Sequence, residues 1–323
     1  MSTIQDTGRK GYQKFGIIES GAMDTFALRT ANILVGNDVN DAAIEITVLG
    51  PVILFTENSL VALCGGDFIA TINGERIPQW CPVFISEGSI LKFSGARSQI
   101  RGYLAVAGGL AVSKEMGSHS TYLRAGIGGY RGRELRVGDV LGIGKTMFRI
   151  TSFPVDKSYI SISKYVSNHV KPKYATNQVI RVIKGAQFDL FMEESKELFF
   201  SEPYKVLPDS DRMGYRLEGE TLALKQPKEM ISAAVAFGTI QIPANGQPIV
   251  LMADHQTTGG YPKIAQVISV DLPLLAQLNL GAIIHFQEIT LQQAQQLYLN
   301  REEDLRKLQY IVKSELKKFL GGI

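Results

Sequence analysis

Cysteine, histidine and tryptophan are scarce in this chain of 323 residues, which holds two, four and one of them. The two cysteines, Cys64 and Cys81, are too few for a disulfide framework and too far apart for a Cys-x-x-Cys motif. Both sit in apolar stretches and read as reduced core thiols. The four histidines, His119, His169, His255 and His285, show no metal-ligand spacing, so no metal is expected. An excess of one charge is missing too: 34 basic and 31 acidic residues leave a net charge of +3. Only Lys313, Lys317 and Lys318 cluster, without the basic stripe that nucleic acid requires. No apolar run approaches the ~20 residues of a membrane helix, and the opening residues lack the apolar stretch of a signal peptide. These absences predict a cytoplasmic protein with no nucleic-acid or membrane partner.

Familiar catalytic signatures are absent as well. There is no Gly-x-Gly-x-x-Gly, no Gly-x-Ser-x-Gly and no His-Glu-x-x-His. The stretch Asp139 to Thr146, ending Gly144-Lys145-Thr146, comes nearest to a phosphate loop. That motif needs Gly where Asp139 stands and a helix afterwards, whereas 147–150 reads as a strand. The stretch is expected to be a turn.

What is present is an ordinary globular composition, 45% apolar and 20% charged. Single cores stop growing near about 250–300 residues, so two domains are expected. Short segments rich in β-formers, 43–49, 59–64, 68–72, 89–93 and 103–107, alternate with Gly, Asn and Asp punctuation. Asn73-Gly74 marks a two-residue hairpin. One early helix is predicted, capped by Asp24, with apolar Phe26, Leu28, Ala31, Ile33 and Leu34, and ended by Gly36-Asn37. Residues 154–173 read as an interdomain connection. The second half repeats this pattern, with strands near 179–183, 216–218, 233–237, 249–252, 264–270 and 282–286 and a helix over 186–200. Over 291–320, Ala294, Leu297, Tyr298, Leu305, Leu308, Ile311, Val312 and Leu316 recur at helical spacing and predict an amphipathic helix. The expected domains are 1–153, 174–290 and a C-terminal helix, 291–323.

Four segments carry candidate chemistry. The densest is Ala253-Asp254-His255-Gln256-Thr257-Thr258-Gly259-Gly260-Tyr261-Pro262-Lys263, between two apolar strands. Asp254 beside His255 offers an acid/base group with a nearby carboxylate. Lys263 could polarise a carbonyl, and the Gly pair could let a ligand approach the backbone. A solvated hairpin whose His satisfies its own turn explains the same pattern. In Glu19-Ser20-Gly21-Ala22-Met23-Asp24, Ser20 or Asp24 caps the following helix; alternatively the amides there hold an oxygen ligand. Gly117 to Tyr122, with the glycines and arginines of 126–133, could form an anion pocket or a surface loop. Arg212 could bind a substrate carboxylate or pair with Asp209 or Asp211.

Several ordered stretches resemble one known family. They are Thr3-Ile4-Gln5-Asp6-Thr7-Gly8-Arg9 with Gly11-Tyr12, Ser20-Gly21-Ala22-Met23-Asp24, Ala31-Asn32-Ile33-Leu34-Val35-Gly36-Asn37, Glu45-Ile46-Thr47, Gly102 to Gly109, Gly117-Ser118-His119-Ser120-Thr121, Asp211-Arg212-Met213-Gly214-Tyr215-Arg216, and Gln247 to Lys263. Together they resemble the KipA family of 5-oxoprolinase C-subunits (PxpC), also called the biotin-dependent carboxyltransferase, allophanate hydrolase subunit 2 or urea amidolyase-related family. The resemblance runs from Thr3 to about Phe286. It implies a mainly β fold of two cyclophilin-like β-barrel domains, here followed by the C-terminal helix. It implies a KipI-type partner (the 5-oxoprolinase B-subunit, or allophanate hydrolase subunit 1), a LamB/YcsF-type partner (the A-subunit), and a small amide or ureide substrate. The leading expectation is the C-subunit of an ATP-dependent 5-oxoprolinase, with ATP bound by the complex rather than by this chain alone. Two alternatives are a carboxyltransferase half that uses carboxybiotin, and a non-catalytic antagonist of a KipI-type inhibitor of a sporulation histidine kinase. Asp254, His255 and Lys263 are the expected catalytic residues. Ser20, Asp24, Ser118, Ser120, Thr121, Arg212, Gln256, Thr257, Thr258, Gly259, Gly260 and Tyr261 are expected to contact substrate.

Overall fold

β-branched and aromatic residues separated by glycine turns make strands the dominant element. The computed structural model describes residues 1–96, 98–146, 159–161, 171–175 and 177–321. The expected strand at 147–150 and most of the expected connection at 154–173 lie outside the described residues. The chain divides into two units, and the division is discontinuous where the sequence reading was contiguous. Unit 1 holds Met1–Gly8, Asp24–Pro172 and Glu302–Ile323; unit 2 holds Arg9–Met23 and Lys173–Arg301.

Unit 1 contains β1 (Ser2–Gln5), β2 (Ala43–Thr47), β3 (Ile53–Leu54), β4 (Ser59–Gly65), β5 (Phe68–Ile72), β6 (Glu75–Arg76), β7 (Pro82–Ile85), β8 (Ile90–Ala96), β9 (Arg101–Val106) and β10 (Tyr159–Ser161). They form two antiparallel sheets, ordered β1-β2-β9-β4-β7-β10 and β3-β8-β5-β6. Asn73-Gly74 turns β5 into β6 with φ of 50° and 93°, the left-handed pair that this hairpin needs. Ile44, Val61, Leu63, Phe68, Val83, Leu91 and Leu104 belong to one buried cluster. Helix α1 (Thr25–Leu34) packs on β4 and β9. As predicted, Asp24 caps it: the carboxylate accepts the Ala27 N–H at 2.8 Å. The Asp24 N–H donates to the Tyr103 hydroxyl at 2.8 Å, and that hydroxyl donates to Glu45 at 2.7 Å. Burial first, then the charges of Glu45 and Asp24, push Tyr103 well above the usual phenol range and keep it neutral.

Unit 2 contains β11 (Asn177–Lys184), β12 (Tyr204–Val206), β13 (Gly214–Glu218), β14 (Ala233–Ala234), β15 (Thr239–Gln241), β16 (Ile249–Leu251), β17 (Thr258–Gly259), β18 (Lys263–Val267) and β19 (Ile283–Glu288). Seven of these close into a barrel, β11-β18-β15-β16-β13-β12-β19. The first and last strands meet in parallel, Asn177 opposite Ile283, while every other pair is antiparallel. Its core includes Ile180, Tyr204, Leu217, Val250, Ile264 and Phe286, with Phe199 stacked on Phe286 at 4.6 Å between ring centres. β14 and β17 form a separate two-stranded ribbon.

Three sequence expectations change here. The helix expected over 186–200 is a 3-10 turn, Phe188–Leu190, followed by α2 (Glu193–Ser201). Phe191 between them is extended and bridges Leu224, which interrupts the helical hydrogen bonds. The strand expected over 233–237 stops at Ala234, because a turn at 236–239 carries Gly238 at φ 84°. A short helix that the sequence reading did not predict, α3 (Leu272–Ala276), follows β18.

The long helix is α4 (Leu291–Gly321). Leu305, Leu308, Val312 and Leu316 are buried at spacings of three and four, whereas Tyr298 and Ile311 are exposed. The buried stripe is thus shorter than the predicted one. Arg29 of α1 grips Glu302 of α4 in a two-pronged pair at 2.6 and 2.7 Å. Among the described residues no helix is long and apolar enough to cross a membrane. Leu308→Ala should cost roughly 2–4 kcal/mol. Tyr310→Ala, at a residue 79% exposed, should cost less than about 0.5 kcal/mol. Thermal unfolding of the two variants checks which face of α4 is packed.

Candidate functional site

Antiparallel pairing in the barrel brings the central pair together. β13 lies against β16 with Gly214 opposite Leu251. Continued past both strand ends, this register puts Arg212 beside 253–254. The backbone makes the link directly: the Asp254 N–H donates to the Arg212 carbonyl at 2.7 Å. The side chains then form a fork. Arg212 Nε donates to Asp254 Oδ2 at 2.9 Å, and Nη2 donates to Oδ1 at 3.0 Å. The fork partner of Arg212 is therefore Asp254. Asp209 pairs with Arg216, and Asp211 accepts the Met213 and Gly214 amides.

Segment 9–23 belongs to the same unit and completes the arrangement. Ser20 Oγ donates to Asp254 Oδ1 at 2.7 Å, and Arg212 Nη2 donates to the Gly21 carbonyl at 2.5 Å. Ser20 adopts a left-handed φ of 56° to do so, a conformation that non-glycine residues avoid. Arg212 and Asp254 are both buried, at 8% and 5% exposure. Both carboxylate oxygens of Asp254 are therefore engaged, and an acid/base role for it would require breaking this fork.

His255, next in the chain, is also buried. Its Nδ1 lies 2.6 Å from the Gln256 carbonyl. A carbonyl only accepts, so Nδ1 carries the hydrogen and Nε2 of the neutral ring holds the free lone pair. Burial is the largest influence on this imidazole and pushes its pKa below the usual value. The Gln256 carbonyl, Glu19 and Asp254 act in the opposite direction. A neutral, buried imidazole with a fixed tautomer is suited to accepting a proton.

The rest of the loop diverges from this cluster. Thr258 and Gly259 form β17, and the Thr257 carbonyl accepts the Val235 N–H at 3.2 Å. A Cβ on Gly259 would come within 2.5 Å of Gln241 Nε2. This glycine makes room for a protein side chain rather than for a ligand, contrary to the sequence reading. Gly260, Tyr261 and Pro262 line a cavity of about 750 Å³ whose other walls include Leu222, Leu224, Met230 and Ile242. The cavity touches none of Ser20, Arg212, Asp254 or His255. The candidate site is the polar cluster, where Ser20, Arg212, Asp254 and His255 lie together; the charged walls of the cavity are Lys228 and Glu229. Lys263 opens β18 half-buried, and its ammonium group forms no ion pair or hydrogen bond among the described residues.

Asp24, Ser118, Ser120 and Thr121 belong to unit 1. Asp24 caps α1. The hydroxyls of Ser118 and Ser120 donate to Asp6 Oδ1 at 2.7 and 2.5 Å, and the His119 N–H donates to Asp6 Oδ2 at 2.6 Å. Thr121 binds the Ile4 carbonyl through both its N–H and its hydroxyl, each at 2.9 Å. All three residues are fully buried. Ser118 and Ser120 hold a carboxylate, as the anion-pocket reading supposed, but it is the protein's own Asp6. The sequence reading did not assign Asp6 a role, although the Gln5-Asp6-Thr7-Gly8 stretch marked its position.

The turn expected at 139–146 lies just before that stretch, where the Asp139 N–H donates to the Arg136 carbonyl at 3.1 Å, and within the stretch Ile143 bridges Leu110. Asp139 pairs with Arg133 at 2.7 Å, and the Gly144 N–H donates to the Gly109 carbonyl at 3.0 Å. Hydrogen bonding to Arg133 holds Asp139 down at about 2. An ionised carboxylate stands where a phosphate cradle needs glycine, so these residues do not fit a nucleotide.

Residues 15–288 match the family described as carboxyltransferase domain, subdomain A and B. The chain belongs to this carboxyltransferase family. The carboxyltransferase fold found here has full-length relatives. A Haemophilus influenzae protein named as the C-subunit of 5-oxoprolinase is 39% identical over 311 residues, covering 96% of this chain and 96% of that protein. An Escherichia coli protein of the same name is 39% identical over 293 residues, covering 91% and 90%. The crystal structure of the Kluyveromyces lactis urea carboxylase superposes with a TM-score of 0.87 at 30% identity, covering 95% of this chain and 28% of that one.

Two outcomes test the geometry of this candidate site. Arg212→Gln leaves the buried Asp254 charge without its cation and should lower stability by about 3–5 kcal/mol. Adding Asp254→Asn should restore part of that loss, read as a coupling in a double-mutant cycle of unfolding free energies. The second concerns pH. The folded chain holds His255 below its ordinary value of 6.5. Acidification through that value, towards the lowered one, protonates the unfolded chain first and so erodes stability. Unfolding temperatures of wild type and His255→Gln should converge as the pH falls from about 7 to about 5, because only the wild type loses this contribution.

Proposed function

We propose that this chain is the C-subunit of an ATP-dependent 5-oxoprolinase, which opens 5-oxoproline to glutamate together with a KipI-type protein and a LamB/YcsF-type protein. The observation that carries the reading is the end-to-end match, at 39% identity, to a protein named as that C-subunit. The site chemistry suits it. A lactam carbonyl is a poor electrophile, so its oxygen must be stabilised as charge develops and a proton must be removed from the attacking group. His255 Nε2 takes the role of proton acceptor. Lys263 has no part in this step, because it lies level with Gln241 and Ile249 at the start of β16, whereas Asp254 and His255 follow the other end of that strand. Arg212, Ser20 and Asp254 hold the loop that presents His255. ATP supplies the driving force for ring opening and is bound elsewhere in the complex, since 139–146 does not fit it.

A second reading is favoured by the superposition on the urea carboxylase structure. In it, this chain is the carboxyltransferase half of a biotin-dependent system. The largely apolar cavity beside Gly260 and Tyr261 would then receive carboxybiotin, which supplies the transferable carboxyl group.

Glutamate release from 5-oxoproline and ATP separates the readings. The chain is assayed alone, with its KipI-type neighbour, and with the LamB/YcsF-type protein added. Glutamate in the full mixture only is the expected result. A stable full mixture that makes no glutamate, but carboxylates urea when carboxybiotin is supplied, selects the second reading. In the active mixture, His255→Ala should lower kcat by about 10²–10⁴-fold, and retention of full activity would remove His255 from the chemistry.

A further inference from the structure

The charges around His255 single out a residue to which the proposed function gives no role. Two charges act on the ring, Glu19 and its chain neighbour Asp254, and Arg212 is forked onto Asp254. Arg212 and Asp254 neutralise one another at hydrogen-bond distance, so together they present little net charge to the imidazole. Glu19 is different. Its carboxylate accepts one hydrogen bond, from the neutral amide of Gln13 at 3.1 Å, and no cation pairs with it among the described residues. It is half-buried, where solvent screens it less than a surface charge.

The backbone fixes its place. The Arg9 N–H donates to the Glu19 carbonyl at 2.7 Å. On the other side, Ser20 donates to Asp254 at 2.7 Å. Glu19 and His255 are thus each one residue removed from opposite ends of a single hydrogen bond. The Glu19 charge favours the protonated ring, against the larger opposing effect of burial.

We infer that Glu19 is a positioning residue that serves as counter-ion to protonated His255, held in place by the Ser20–Asp254 hydrogen bond. This rests on the reading of His255 as the proton acceptor. When Nε2 takes a proton, the new imidazolium lies in a buried setting that disfavours it. The charge of Asp254 is already answered by Arg212, which leaves the Glu19 carboxylate to offset that cost.

The test uses the full chain with isotope-labelled histidine. The sequence holds four histidines, and the His255→Gln spectrum identifies the signal to follow. In Glu19→Gln, which keeps the shape and the acceptor for Gln13, the titration midpoint of His255 should fall by up to about one pH unit. Glu19→Asp should stay close to wild type. In the assembled complex, Glu19→Gln should lower kcat by up to about tenfold, the same free energy, with KM unchanged. The acid limb of its pH profile should shift down with the midpoint. An unchanged His255 midpoint in a folded Glu19→Gln chain overturns the inference. The titration needs neither substrate nor partner, so it judges the Glu19–His255 pair even if the mixture makes no glutamate. Loss of the functional reading would show in the activity assay, and loss of this inference in the titration.

Discussion

Arg212 and Asp254 are opposite charges that unit 2 withdraws from water. Each would be costly to bury alone, so neither can be understood without the other. The fork between them also consumes hydrogen-bonding capacity that the neighbouring backbone depends on. Ser20 and the Gly21 carbonyl complete it, and with them segment 9–23 is fixed to residues more than 190 positions away. The left-handed backbone at Ser20 persists because this fork over-determines it. His255 inherits its orientation from the turn that the fork closes.

Unit 1 answers a similar problem differently. Asp6 has no cation beside it among the described residues. Its oxygens are met by the hydroxyls of Ser118 and Ser120 and by the amides of Gly8 and His119. Neutral donors spread the charge and tie β1 to the loop at 117–121. The two carboxylates thus differ in kind. One is compensated by an opposite charge and shaped for a site, and the other is solvated by the protein and shaped for packing.

The sequence made much of the fold legible. The Asp24 cap, the Asn73-Gly74 hairpin and the C-terminal helix, free of Gly and Pro over 291–320, all carry local signals strong enough to survive tertiary packing. Pro82–Ile85, Tyr204–Val206 and Thr239–Gln241 were missed because they are short and their pairing is set by distant strands. The false helix over 186–200 had helical composition, yet Phe191 gains a strand-like bridge to Leu224 that local propensity cannot foresee. The polar loop around Asp254 and His255 stood out by density alone. That Arg212 would fork onto Asp254, 42 residues away, was not legible, because this pairing follows from the register of β13 against β16. Gly259 was misread for the same reason: its neighbour Gln241 arrives from another strand.

The barrel of unit 2 closes through the parallel meeting of β11 and β19, which are more than 100 residues apart in sequence. A chain emerging from the ribosome cannot make this seam until Ile283–Glu288 is free. Until then β11 and β12 present open edges, the state in which strands recruit wrong partners. Contacts of such long range slow folding, because chain entropy must be given up before they form. Biogenesis of this protein therefore has a step that waits on distant sequence: the barrel closes only after Ile283–Glu288 has been made, and the fork at Arg212 and Asp254 only after β16 has followed β13.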